Sequence, residues 1–233
     1  MTITTPSTTA ELRIDRAAEV TTAIEWFASG TSSDSGATSP ADDAPARPSQ
    51  QVIDAVEAYL KETLSTQPGF VAGMLLSGLQ GELAVYSHWA TAERPVHFPS
   101  AWSVALAVGE LTRRDGRTFE VDFSAPLASS AASLFSTPHA HFGLFAVKPD
   151  NQERMLELAR HNAPNSIGTP GLTAINFHRS LDGERVVNLG LWTGFSGFDN
   201  LHTRAGFNTG AKYWEGVAKF RSHFYDVAAI VTA

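Results

Sequence analysis

The sequence predicts an α+β protein built from two tandem β-α-β-β-α-β units, and three observations carry that expectation. The first is a near-duplication. "PGFVAGMLLSGLQGELAVYSHWAT" from Pro68 and "PGLTAINFHRSLDGERVVNLGLWTG" from Pro170 run through the same order of turn, strand, Gly turn, strand and Trp. The second is constant spacing: Pro68 and Pro170 stand 102 residues apart, Trp89 and Trp192 103 apart, and "RTFEVDF" matches "SHFYDVAAIV" at an offset near 105. The third is the alternation, in each half, of period-two apolar segments with segments of helical period.

Taken in order, residues 1–15 are expected to be a disordered tail. The first unit, 16–124, opens with a strand near Val20 to Phe27. Setting Phe27 against Ala146 gives an offset of 119, so this half holds 17 additional residues. They fall in "SGTSSDSGATSPADDAPARPS", Ser29 to Ser49, which cannot bury apolar surface and reads as a flexible insertion. A helix follows from Ser49 to Leu64, started by Pro48-Ser49, with Val52, Val56, Tyr59, Leu60 and Thr63 as its stripe. Strands near Phe70 to Leu79 and Leu83 to Ala90 form a hairpin, Trp102 to Leu111 reads as a second helix, and Thr118 to Phe123 as the last strand. Residues 125–138 are the linker. The second unit, 139–233, repeats the scheme: strand Phe142 to Val147, helix Asn151 to Asn162, strands Leu172 to Ser180 and Val186 to Trp192 around an Asp182-Gly183 turn, helix Ala211 to Phe220, strand Phe224 to Thr232.

Composition removes several function classes. At 43% hydrophobic residues the 233-residue chain can build a sizeable core. Asp and Glu outnumber Lys and Arg 24 to 17 and no basic run occurs, so neither nucleic acid nor an anionic membrane surface finds an electrostatic partner. Without Cys there is no disulfide framework and no thiolate chemistry. No apolar run approaches the roughly 20 residues of a membrane span, and the N-terminus lacks a signal pattern, so a soluble, cytoplasmic protein is expected.

The segment with the strangest chemistry is "VVNLGLW", Val186 to Trp192. As a strand it places Val187, Leu189 and Leu191 on one face and Val186, Asn188, Gly190 and Trp192 on the other. An amide, a gap and an indole in register suit a pocket for a flat aromatic molecule better than a core. The matching strand of the first half, "LAVYSHW", has Val85 where the second has Asn188.

A β-α-β-β-α-β unit of about 100 residues, with Pro-Gly opening the hairpin and Trp closing it, resembles the antibiotic biosynthesis monooxygenase family of the dimeric α+β barrel, ferredoxin-like superfamily. Present twice, it implies one intrachain barrel with antiparallel sheets, as a monomeric pseudo-dimer or a homodimer. Asn188 and Trp192, four apart on this strand, resemble the pair that cofactor-free aromatic polyketide oxygenases of the family use. The resemblance implies a monooxygenase that takes a small aromatic substrate and O2 with no cofactor and no metal. The family's further Asn on the first strand has no match in "HAHFGLFAV".

Around that pair, Asn176 and His178 alternate onto one face of "LTAINFHRS" and are expected as substrate-binding polar groups, with Gly190 leaving room. Phe195 and Phe198 are candidate caps over a ring. His202, ten residues after Trp192, is the candidate base, since an unperturbed His titrates near pH 6.5. Bland alternatives stand beside each: a strand-end amide for Asn188, a packing role for Trp192, a surface position for His202. His139-Ala140-His141 puts two imidazoles on one face, but no third ligand has recognisable spacing. Two other functions stay open, a haem-degrading relative, to which the Trp192 and His202 spacing is similar, and a polyketide cyclase or ligand-binding protein.

Overall fold

A computed structural model of the chain describes residues 11–29, 47–90, 111–126, 130–208 and 212–233. Its elements run β1 (Glu11–Arg13), β2 (Thr21–Ser29), α1 (Gln50–Glu62), β3 (Phe70–Gly78), β4 (Glu82–Trp89), β5 (Leu111–Ala125), β6 (Ala131–Ser133), β7 (His139–Ala146), α2 (Gln152–Asn162), β8 (Leu172–Ser180), β9 (Arg185–Trp192) and β10 (Lys219–Thr232). Eight strands close an antiparallel barrel in the order β10-β3-β4-β2-β5-β8-β9-β7. The order within β3-β4-β2-β5 is that within β8-β9-β7-β10, and β5 with β8 and β10 with β3 seal the seams between them. Closure leaves no barrel edge for another chain to extend.

Alternation along the strands sends one set of side chains into the barrel and the other outwards. Ile24, Trp26, Met74, Tyr86, Phe142, Val187, Leu189 and Leu191 share the interior. The ribbon of β1 and β6 adds Leu12 and Ala132 to the same cluster. Of the expected tail at 1–15, Leu12 and Ile14 are fully buried, and residues 1–10 lie outside the described residues. Outside, α1 begins where Ser49 Oγ accepts from Val52 N at 3.3 Å and buries Val52, Val56 and Leu60 against Phe27, Phe70, Val85 and Trp89. α2 buries Met155, Leu156 and Ala159 against Phe145, Ile175 and Phe177. Arg160 of α2 clamps the buried Asp122 of β5 with two bonds of 2.8 and 2.7 Å, tying the second half to the first.

The Pro-Gly motif has a clear cause. Gly69 and Gly171 sit at φ of +83° and +86°, where a Cβ would lie 2.6 Å from the Ala90 carbonyl oxygen and 2.2 Å from that of Gly194. Only glycine allows the hairpin's far end to come this close.

Three expectations need correction or fall outside. Ala211 to Phe220 is no helix: its described residues turn, Gly216 has φ of +79°, and β10 already starts at Lys219. A left-handed glycine interrupts helical hydrogen bonding before one turn can propagate. The linker 125–138 contains β6, and β5 reaches Ala125. The helix expected from Trp102 lies outside the described residues up to Leu111, which opens β5, and of the insertion Ser29 to Ser49 residues 30–46 are likewise outside.

Candidate active site

The outer face of β9 opens onto a cavity of about 210 Å³ in the second half. Asn188, Gly190 and Trp192 of β9, His141 and Gly143 of β7 and Ser222 of β10 form its sheet-side wall. Phe198, Phe207, Tyr213 and Trp214 cover it with aromatic rings. Register explains this wall: His141 pairs with Gly190, Gly143 with Asn188, and Ser222 with Gly143. Cross-strand pairs share a face, so all three strands present these groups to the same space.

Trp192 is 1% exposed, and its indole N–H is buried without a hydrogen-bond partner. Gly190 makes that position possible, since a Cβ there would lie 2.9 Å from Trp192 Nε1. The Asn188 side-chain oxygen accepts from the backbone N–H of Asn176 at 3.2 Å. Because a backbone N–H can only donate, this fixes the amide's orientation and leaves its NH2 as the end available to the cavity. Aromatic and aliphatic groups make up most of the lining, with His141, Ser166, His202, Lys212 and Ser222 as further polar side chains, and the unpaired indole N–H is a standing cost.

His141 is nearly buried between Phe198 and Phe224, with ring centroids 5.1 and 4.9 Å away, and its Nε2 lies 2.7 Å from Ser222 Oγ. Burial, helped by nearby His223, pulls its pKa down to about 3, so the ring is neutral near pH 7. His202 stands exposed in the turn Phe198–Thr203 at the cavity's lining. Burial raises the Tyr213 phenol, which also lines the cavity, well above its usual range.

Of the residues expected from sequence, Asn188, Gly190, Trp192, Phe198 and His202 therefore share one cavity. Phe195 stands behind it, against Trp192 at 5.7 Å and Phe224 at 5.0 Å. Asn176 and His178 do not belong to it. The hairpin pairs Asn176 with Leu189 and Phe177 with Asn188, one residue off a direct Asn176–Asn188 pairing: this register runs unbroken from Arg179 and Val186 beside the turn, and the bulge between Leu172 and Ala174 moves only Leu172 to the cavity side. A one-residue slip reverses the face. Both side chains point into the barrel, where the Asn176 amide donates to Leu189 O at 3.0 Å and Tyr86 hydroxyl bridges Nε2 of His88 and of His178, each at 2.9 Å. His178 Nδ1 faces the Asn176 carbonyl at 3.0 Å and must carry the proton, so Tyr86 donates to His178 and accepts from His88. Burial holds both rings neutral, lowering His88 to about 3 and His178 to about 4.

Sequence reasoning missed His141, Gly143 and Ser222 as cavity groups. The repeat offset and strand pairing contained the signal. The face of β7 shared with β9 carries both His139 and His141, but they diverge: His139 Nδ1 meets Asp226 at 2.8 Å and His141 meets Ser222. Among the described residues no cluster of three or more metal-ligating side chains occurs. None of their helices is long and apolar enough to cross a membrane.

No family model and no curated protein matches the sequence. Solved structures do. An anthrone oxidase-like protein superposes with a TM-score of 0.69 at 13% identity, over 94% of this chain and 96% of that one. A candidate monooxygenase from Fusobacterium nucleatum gives 0.57 at 10% identity over 92% and 95%, and one from Lactobacillus acidophilus 0.53 at 8% over 92% and 97%. At these identities the likeness is one of fold: this chain has the α+β barrel of these structures.

Proposed function

We propose that this chain is a cofactor-independent oxygenase, oxidising a phenolic or anthrone-type aromatic polyketide intermediate to a quinone with O2 in antibiotic or pigment biosynthesis. The observation that carries the reading is the Asn188 amide, whose oxygen is tied to the Asn176 N–H and whose NH2 is left to a cavity it shares with the Trp192 ring. The fold likeness to an anthrone oxidase-like protein supports it.

The cavity has room for about seven waters at ~30 Å³ each. Apolar walls hold such waters poorly, so a flat ring system displaces them favourably. In the reaction a ring CH2 becomes C=O: one atom of O2 enters the ring, the other leaves as water with both hydrogens, and the substrate supplies all the electrons. Charge accumulates on oxygen as O2 is reduced. The Asn188 NH2, beside the Trp192 ring, is the donor for that oxygen, and such a preset donor is worth roughly 10²–10³ in rate. The covering aromatic residues hold the ring and keep water from the reacting centre.

In this reading 16–124 and 139–233 are two copies of one unit joined by 125–138, and the second keeps the site. The chain then works as a monomeric pseudo-dimer or a homodimer of it. An oxygen electrode tests the function: protein plus an anthrone, with no cofactor added, consumes O2 and yields the quinone, and no uptake above the uncatalysed rate sinks the proposal. Titration with haemin separates it from the haem-degrading alternative, since a Soret band shifted by binding would favour the latter.

A further inference from the structure

We infer that Ser222 and His141 form the hydroxyl-reading end of the cavity, with Ser222 touching a phenolic O–H of the ligand and His141 acting through it. The inference rests on the cavity being a site for a phenolic aromatic, and it adds which group of the ligand is recognised and where its proton goes.

Three features of the pair make it a device rather than a packing accident. Both side chains line the cavity, and they are 2.7 Å apart through Oγ and Nε2. The imidazole plane is fixed by Phe198 on one side and Phe224 on another. The pair is also peculiar to this half. Trp89 matches Trp192, so Ser87 matches Gly190, and the strand partners of Ser87 and Glu25 then match those of Gly190 and Gly143. By that register Ala23 occupies the His141 position and Gly116 the Ser222 position. Neither chemical group is needed to build the fold.

A serine hydroxyl between a ring nitrogen and a cavity can face either way. With Nε2 free of hydrogen, Ser222 donates to His141 and its lone pairs accept a ligand O–H. With hydrogen on Nε2, His141 donates to Ser222, whose own O–H then donates to a ligand oxygen. With Nδ1 protonated in both, the two states differ by one proton. When a phenol O–H bond breaks, a new Oγ–H bond forms and the former Ser222 proton passes to Nε2, leaving a phenolate beside an imidazolium. No electron moves in this step. The second state then donates to a quinone carbonyl, so one pair serves the O–H of the substrate and the C=O of the product. Burial keeps the ring neutral, and its Nδ1–H tautomer is the form that begins this sequence. It also makes the imidazolium dependent on the adjacent anion, so the proton is released once that anion is gone.

The test is binding without turnover. Under anaerobic conditions 1-naphthol and 1-methoxynaphthalene are titrated separately against the protein, read by quenching of Trp fluorescence. The ether cannot donate, so wild type should favour the naphthol by about three- to tenfold, the range of one neutral hydrogen bond. Ser222→Ala and His141→Phe should abolish that preference while still binding both ligands, and Ser222→Thr should restore it. His141→Phe keeps the aromatic shape between Phe198 and Phe224, guarding against a folding artefact. Equal affinities in wild type, or a preference that survives in Ser222→Ala, would overturn the inference while leaving oxygen uptake untouched. Failure of both ligands to bind wild type would overturn it together with the aromatic-site reading on which it rests.

Discussion

The outer faces of β4 and β9 occupy matching places in the two halves, and one is plugged while the other is open. In the first half the Trp89 indole donates to Ser87 Oγ at 2.8 Å, Val85 joins the packed outer core, and the Arg113 guanidinium lies across Gly116 with Nε 2.8 Å from Glu25 Oε1. In the second half Gly190 replaces the serine, Asn188 the valine and Gly143 the glutamate, and the indole loses its partner beside a cavity. A shared fold accounts for the Trp in both halves. It does not account for removing an indole's partner and adding an amide, which costs stability and gains nothing in packing.

The sharpest way to break the comparison is to treat the two faces alike. Asn188→Asp keeps the oxygen that accepts from the Asn176 N–H and removes the NH2, so kcat with an anthrone should fall about 10²–10³-fold with little change in unfolding midpoint. Val85→Ala should do the reverse, costing about 2 kcal/mol of stability by denaturant melt and leaving the rate near wild type. Next, Arg113→Ala should cost about 2–3 kcal/mol, because Glu25 is 2% exposed and would lose its nearest cation. Ser87→Ala should cost about 1–2 kcal/mol by depriving the buried Trp89 N–H of its acceptor. Trp192→Phe should cost less, having no such bond to lose. Denaturation midpoints for the four variants decide the matter, and equal costs for Ser87→Ala and Trp192→Phe would remove the distinction.

A separate test is in acid. His88, His141 and His178 are held neutral when folded, at about 3 to 4, against 6.5 in the unfolded chain. Between those values the unfolded state binds more protons, so stability is full above about pH 6.5 and is lost as pH falls towards 4. Each ring adds a slope of up to about 1.4 kcal/mol per pH unit. His141→Phe should flatten that slope without abolishing it, and a stability that stays constant from pH 7 to 4 would contradict the burial of all three.

Much of this could be read from the chain because periodicity and repeats report on backbone pattern. Leu172 to Ser180 was placed without error, and Asn188, Gly190 and Trp192 face one cavity as their alternation required. Asn176 and His178 face the barrel interior because the register set at the turn puts them opposite Leu189 and Val187, which the alternation of Leu172 to Ser180 alone does not reveal. His141 and Ser222 could not be paired by local reading, since 81 residues separate them and only the β7 and β10 register brings them together. The missing helix near Ala211 reflects Gly216, whose conformation a stripe of aromatics concealed.

The most direct measurement is oxygen uptake with an anthrone by wild type and by the double variant Asn188→Val with Gly190→Ser, which rewrites the open face as the plugged one. Uptake by wild type and a loss of about 10²-fold or more in a folded double variant is the expected result. Equal uptake by both would show that the chemistry does not depend on what distinguishes the two halves, and would contradict the account.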